Sequence, residues 1–444
     1  MSFVDLNGRE VVLGKVLGEG GEGTVHAIEG HRSLVAKVYH RNLRTPEREA
    51  KIKQMLIAPP IDPLAARGKV SLAWPKSALF EDRAFAGFTM PAVDISRAYA
   101  LHQLWKAKQR PRGCTYSHLT QIASNLCAVT QALHTASYVL GDVNESNFLV
   151  TDRSLVVAVD LDSIQVPAAD GTTHRCVVHK PEFSPPELQG GFDFRAQDRM
   201  PEHDLFGLGI LVWELLMLGR HPFAGGKPQI ATNIQDGSSW ALDASRPAPA
   251  GAPPLEVMPP ELIPLARRAF GTDPAARSEG FEWHRTLAKV IDGLKKCKKV
   301  KGHSYGGHLS ACPWCAYADR WRYDPFDPSS TKAAYGRSRE GNRKLAQEWS
   351  KAKSDALQRK LGGRRAPAQP IPATPSISLG ATSSQSLPTV PGTIDQHLPT
   401  STLPHHKVPA AYEPRRIPTW WWWTAFGVCV LIVGALLALP GGGG

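Results

Sequence analysis

Leu140-Gly141-Asp142-Val143-Asn144-Glu145-Ser146-Asn147-Phe148-Leu149-Val150, followed by Val156-Val157-Ala158-Val159-Asp160-Leu161-Asp162, is the stretch on which the reading of this 444-residue chain turns. Two short runs rich in β-branched residues flank a polar turn, which predicts paired strands. Asp142 stands five residues ahead of Asn147, and Asp160 follows thirteen residues later. On its own this is a generic metal–phosphate constellation.

Further signals lie upstream. Gly18-Glu19-Gly20-Gly21-Glu22-Gly23 sits between strand-like runs, with Gly18, Gly20 and Gly23 in a G-x-G-x-x-G spacing. Without Cβ atoms, such a loop brings backbone N–H groups close to phosphates. Val25 is placed to cover a base. A glycine-rich hairpin with no ligand is the commoner source of such a run. No Gly-Lys-Ser/Thr follows, so this is not a Walker loop. The next residues, 24–28, continue as strand, so it is not a dinucleotide fingerprint either.

Lys37 lies in the apolar run Leu34-Val35-Ala36-Lys37-Val38, about a dozen residues beyond the loop and across a turn at Gly30-His31. A lysine there is ordinarily an edge or snorkelling residue. Here its ammonium would approach the α- and β-phosphates of a nucleotide. A carboxylate should hold it. In the helix expected over residues 46–57, Glu49 shares a face with Ile52 and Leu56, and Glu47 is the second choice.

In this order the pieces resemble a eukaryotic-type Ser/Thr protein kinase of bacterial origin, over roughly residues 8–294. Asp142, Asn147 and Asp160 match the catalytic-loop Asp, its Asn five residues on, and the Asp of the Asp-Phe-Gly triplet. Ser184-Pro185-Pro186-Glu187 resembles the motif closing the activation segment. His203-Asp204-Leu205-Phe206-Gly207-Leu208-Gly209 resembles the helix whose Asp braces the catalytic loop. Arg277 matches the late arginine that pairs with Glu187. Gly87-Phe88-Thr89-Met90-Pro91 resembles the hinge that meets adenine.

The resemblance implies an α+β, two-lobed fold, β-rich to about residue 90 and mainly helical over 94–294. It implies ATP with Mg²⁺, or Mn²⁺ in its place. Nucleotide contacts would come from Gly18, Gly20, Gly23, Val25, Lys37, Glu49 and Met90, and metal contacts from Asn147 and Asp160. Asp142 would accept or orient the proton of a Ser or Thr hydroxyl. The substrates would be cytoplasmic proteins, this chain included.

Three departures bear on control and rate. Leu140-Gly141-Asp142 replaces His-Arg-Asp, so a phosphorylated activation loop has lost its usual arginine. Asn144 replaces a lysine. Asp160-Leu161-Asp162 replaces Asp-Phe-Gly and adds a negative charge. They motivate an alternative, a nucleotide-binding pseudokinase scaffold.

After the kinase-like part, residues 295–320 read as a small Cys/His module holding Cys297, His303, His308, Cys312 and Cys315. A Cys-x-x-Cys knuckle with imidazole suits Zn²⁺, with His303 or His308 as the nitrogen ligand. A redox role for Cys312-Pro313-Trp314-Cys315 stays open, although no thioredoxin-like pattern surrounds it. A loose likeness to kinases from operons with phosphatase and von Willebrand A-type proteins points to partners of those kinds.

The net charge of +12 and pI near 9.4 favour anionic surfaces. Much of the excess lies late, in residues 295–301 and 337–365. A basic tail beside an anionic membrane surface explains it as well as nucleic acid does, and nucleic acid is not the expected partner. Seven cysteines, mostly scattered, argue against a disulfide framework. Residues 1–7 have no basic start and no apolar run, so a signal peptide is not expected there. Residues 321–418 read as a basic linker, with 366–418 rich in Pro, Ser and Thr and 336–361 expected as a solvated helix. Residues 419–439 carry no charge and begin with Trp420 to Trp423, just after Arg415 and Arg416. The expectation is a single tail-anchoring span in a bacterial inner membrane, with the kinase part cytoplasmic.

Overall fold

β-Branched and apolar residues alternate through the first ninety positions, and in the computed structural model they form one antiparallel sheet. The structure describes residues 3–327 apart from 95, 96, 106–108, 112, 152, 169, 226–228 and 244, all within one compact unit. The sheet comprises β1 (Phe3–Asp5), β2 (Glu10–Val11), β3 (Leu13–Glu19), β4 (Gly23–Ile28), β5 (His31–Tyr39), β6 (Ser77–Glu81) and β7 (Ala84–Pro91). Their spatial order is β2-β1-β6-β7-β5-β4-β3. Alternation gives β5 two different faces. Ala36 and Val38 join a small cluster with Phe3, Ile28, Leu79 and Ala86. Tyr39 faces the main core with Phe85 and Phe88.

Two details depart from expectation. β1 lies ahead of residue 8 and pairs with both β2 and β6. The strand-like run over 80–93 is interrupted by a hairpin in which Asp82 and Arg83 have φ of 50° and 67°. Two left-handed residues match the twist of a tight hairpin, but Asp-Arg lacks the glycine that normally signals one.

Helix α1 (Pro46–Ile57) begins where Thr45 accepts a hydrogen bond from the Arg48 amide at 3.3 Å and Pro46 occupies the first turn. It buries Ile52 and Met55, and Trp74 Nε1 donates to the Met55 carbonyl at 2.9 Å.

The second part is mainly helical. After β8 (Ala98–Ala100) and the short α2 (His102–Trp105), α3 (Tyr116–Thr135) runs for 20 residues. Its periodic Leu119, Ile122, Leu126, Val129 and Leu133 are all buried. β9 (Phe148–Thr151) and β10 (Val156–Ala158) are the paired strands expected around the acidic loop, and β8 adds to β9. β11 (Val166–Pro167) and β12 (Thr173–His174) pair within the activation segment. α4 (Pro201–Leu216) is buried almost throughout, as an all-round apolar helix must be. α5 (Ile230–Gln235), α6 (Ile263–Ala269) and α7 (Gly280–Asp292) complete this part, and α7 packs along α3. This sheet-then-helices arrangement is consistent with a kinase-like fold.

β13 (Lys295–Lys296), β14 (Ser304–Tyr305) and α8 (Pro313–Trp321) carry the Cys/His residues. Trp314 is fully buried, with ring centroids 5.1 Å from Tyr116 and 4.9 Å from Phe326. The packed segment therefore reaches past residue 320. The linker beyond residue 327, the helix expected over 336–361 and the apolar stretch 419–439 lie outside the described residues. Among the described residues, no helix is long and apolar enough to cross a membrane.

Candidate active site

The centre of the site is Lys37. β5 sets it opposite Val25 on β4 and Phe88 on β7. Its Nζ lies 2.9 Å from Asp160 Oδ1, 2.7 and 2.6 Å from the two Asp162 oxygens, and 3.6 Å from Glu22 Oε2. The Tyr39 hydroxyl donates to Asp162 Oδ2 at 2.7 Å. Burial alone would lower the Lys37 pKa, but Asp160, Asp162 and Glu22 outweigh it and hold it well above the usual lysine value. Lys37 is therefore a fixed cation.

The partner expected on α1 is not the one found. Glu49 pairs with Lys53, four residues on, at 2.7 Å, and both are partly solvent-exposed. Glu47 sits exposed in the first turn, bonded to Thr45. The cause is the rotation of α1. Its buried stripe runs through Ile52 and Met55, not Ile52 and Leu56. That rotation sends Arg48 and Lys51 toward the site. Arg48 donates to Glu22 Oε1 at 2.8 Å and lies 4.8 Å from the Tyr39 ring centroid. Burial lowers the Lys51 pKa, with Cys176, Asp162 and Glu22 pulling the other way. The inward face of α1 is thus cationic, and the carboxylates come from the segment after β10.

The glycine turn joins β3 to β4, with Gly18 opposite Val25 and the Gly20 amide donating to the Gly23 carbonyl at 2.9 Å. Gly23 is required sterically, since a Cβ there would lie 2.2 Å from the Val38 carbonyl oxygen. Met90 lies near the end of β7, half-buried, opposite Val35.

Asp142 sits in the turn ahead of β9. Asn147 Nδ2 donates to the Asp142 carbonyl at 2.6 Å and approaches its Oδ2 at 3.4 Å, and Asn144 Nδ2 donates to the same carbonyl at 3.1 Å. Asp142 Oδ1 is buried and has no hydrogen-bond partner among the described residues. From α4, Asp204 braces the turn: Oδ2 accepts from the Leu140 amide and Oδ1 from the Gly141 amide, each at 2.7 Å, while His134 Nε2 lies 2.9 Å from Oδ2. Arg277 donates to the two Glu187 oxygens at 2.5 and 2.9 Å, the pairing the resemblance implies.

Asp160 opens the 3₁₀ turn Leu161–Ser163 in the left-handed conformation, φ 61° and ψ 34°, which aspartate tolerates better than most residues. Oxygens of Glu22, Asp160 and Asp162 lie within 4.8 Å of one another. The Lys37 ammonium lies among them, 2.6–3.6 Å from all three, and carboxylate oxygens of this kind are the donors that Mg²⁺ or Mn²⁺ takes.

The sequence reading missed Arg199. Gly141 has φ +72°, and a Cβ on it would lie 2.4 Å from Arg199 Nη1 and 2.8 Å from Cys176 Cβ. No side chain fits at position 141 because Arg199 fills the space. Its guanidinium donates to the carbonyl of Gly141 and, at 2.8 Å, to that of Val178. A buried cation thus joins the turn carrying Asp142 to the segment that follows β12. Glycine in place of arginine at 141 was the one local signal.

The ligand atoms of Cys297, His303, Cys312 and Cys315 also converge within 4.8 Å. His308 is not among them: its Nε2 lies 2.9 Å from the Glu256 carbonyl.

No family model matches the chain. Against curated proteins it is 33% identical over 330 residues to Protein kinase YegI of Escherichia coli strain K12, covering 70% of this chain and 49% of that protein. Protein kinase YegI of E. coli O157:H7 aligns with the same identity and coverage. The chain spans about half the length of the curated relatives it matches. Motif order, fold and aligned length agree on the kind of protein this chain resembles, a bacterial protein kinase.

Proposed function

We propose that the chain is an ATP-dependent kinase that phosphorylates Ser or Thr on proteins. The observation that carries this reading is Asp142, with one buried and unpartnered carboxylate oxygen on a turn that Asp204 fixes from below. An oxygen whose lone pairs are uncommitted can accept the proton of a substrate hydroxyl once binding of that substrate opens a path to it.

In this reading Lys37 orients the α- and β-phosphates. Asp162 and Tyr39 position Lys37, the part expected of Glu49. Asn147 and Asp160 would hold Mg²⁺, which neutralises charge on the phosphates when bound. The Glu187–Arg277 pair supports the floor on which a peptide would lie. The Ser/Thr-rich stretch 366–418 offers acceptors such as Thr374 and Ser376 for self-phosphorylation.

The apolar residues 419–439 would anchor the chain in the bacterial inner membrane. The basic residues before them would lie against anionic headgroups, at about 1 kcal/mol per Lys or Arg near the surface. Phosphatase and von Willebrand A-type partners rest on sequence likeness alone.

The test is γ-phosphate transfer with site mapping on the full chain, in parallel with nucleotide binding. Wild type should transfer, and Asp142→Asn should lose roughly 10²–10⁴ in rate while still binding nucleotide. Nucleotide binding with no transfer by wild type would favour the pseudokinase scaffold instead.

A further inference from the structure

We propose that Cys297, His303, Cys312 and Cys315 form a Cys₃His zinc site that pins residues 295–327 onto the helical part of the molecule. The donor spacing carries the first half of the proposal. Four ligands at ordinary Zn–S and Zn–N lengths in a tetrahedron leave sulfurs about 3.8 Å apart, and sulfur and nitrogen about 3.6 Å apart. Here Cys297 Sγ and Cys315 Sγ are 3.6 Å apart, and His303 Nδ1 lies 3.4 Å from Cys312 Sγ and 3.6 Å from Cys315 Sγ. A disulfide would bring two sulfurs to about 2.05 Å, and all three cysteines are free.

The surroundings are those of a metal site. His303 is buried, and its other nitrogen, Nε2, lies 2.9 Å from both oxygens of Asp324. That carboxylate holds the proton on Nε2 and leaves the Nδ1 lone pair facing the thiols, as the outer carboxylate of a zinc-bound histidine does. Cys297 Sγ accepts N–H bonds from Lys299 at 3.3 Å and Val300 at 3.4 Å, which favour a thiolate. His308, occupied by the Glu256 carbonyl, is not a ligand.

The second half concerns what the site fastens. Trp314, between two of the ligands, is fully buried against Tyr116 and Phe326, and its Nε1 donates to the Ser304 carbonyl at 2.7 Å. Ser304 Oγ accepts from the Ser117 amide at 2.9 Å, satisfying an open donor in the first turn of α3. Arg110, also buried, donates to the Pro325 carbonyl at 2.8 Å and lies 5.0 Å from the Phe326 ring centroid. α3 ends near His134, which touches Asp204 beneath the catalytic turn. Metal at one end of α3 therefore stabilises the helix that supports the site at the other.

The full chain purified without chelator should carry one zinc by elemental analysis. Replacement by Co²⁺ should give the visible bands of tetrahedral cobalt and a thiolate charge-transfer band. Cys315→Ser should lose the metal and His308→Ala should keep it. Asp324→Asn should weaken Zn²⁺ binding about 10–100-fold with the fold intact. Chelation should lower the unfolding temperature of the whole kinase-like part in one transition, and Zn²⁺ should restore it. Wild type with neither zinc nor cobalt bands would overturn the site, as would a Cys312–Cys315 disulfide in freshly purified protein. Metal loss that leaves the main unfolding transition unmoved would overturn the fastening role.

Discussion

Asp162→Asn is the perturbation that tests how Lys37 is held. The substitution keeps the shape and removes one charge from a carboxylate whose side chain is 1% exposed. It disrupts contacts to Lys37 Nζ at 2.7 and 2.6 Å, leaving the lysine with Asp160 at 2.9 Å and Glu22 at 3.6 Å. Breaking a buried pair costs about 3–5 kcal/mol, and a single hydrogen bond to a charged group is worth about 1.5–3. Two remaining carboxylates soften the loss, so the figure falls between the middles of these two ranges, about 2–4 kcal/mol. If it appears in the transition state, kcat/KM falls by roughly 30- to 1,000-fold. The assay is steady-state phosphate transfer beside thermal unfolding, with Glu49→Gln as a parallel variant expected to stay within about threefold of wild type. A double variant, Lys37→Met with Asp162→Asn, should cost little more than Lys37→Met alone, because the two act as a unit. Full activity in Asp162→Asn, or a gain, would refute the reasoning. So would a loss in Glu49→Gln as large as in Asp162→Asn.

Arg199→Ala should lower kcat by about 10- to 100-fold and expose residues 163–184 to limited proteolysis, since it removes donors to the Gly141 and Val178 carbonyls. Thr172→Ala and Thr173→Ala should leave activity nearly unchanged, because a built-in guanidinium already ties this segment to the catalytic turn; collapse of transfer would argue for phosphate gating. Gly141→Ala should destabilise the fold by over 2 kcal/mol, read as a falling urea midpoint, because the new Cβ meets Arg199 and Cys176 at a positive φ. Burial, aided by Glu145 and opposed by Lys180, raises the Glu214 carboxyl to about 8 from 4.5. The folded state then binds the extra proton, so this contribution is fully present below about pH 4.5 and is lost as pH rises through 8. Glu214→Gln should flatten the fall of unfolding temperature between about pH 4.5 and 8 and leave the variant the more stable at the alkaline end.

The parts of the site that were legible in sequence are those set by local chemistry. The bounds of α1 follow from Thr45 and Pro46 at one end and Pro59-Pro60 at the other. Asp142 and Asn147 are bonded within one turn, so their closeness in space follows from their spacing. The partner of Lys37 was not legible. Glu49 and Asp162 are both acidic, and the choice between them depends on about one residue of helix rotation, decided by whether Met55 or Leu56 enters the core. Arg199 was hidden for another reason: it shares a space with Gly141 across 58 residues, and no local pattern records a filled volume. The Asp82-Arg83 hairpin escaped because its left-handed residues are not those that prefer that conformation.

One consequence follows from which face of α1 turns inward. Arg48 reaches over Tyr39 to grip Glu22, in the glycine turn above the nucleotide cleft, while Lys37 is held from the segment carrying Asp160. A partner that swung α1 outward would leave Asp160 and Asp162 on the lysine and release the roof. Control exerted through this helix would then set how quickly nucleotide enters and leaves, and the chemistry beneath would keep its pace.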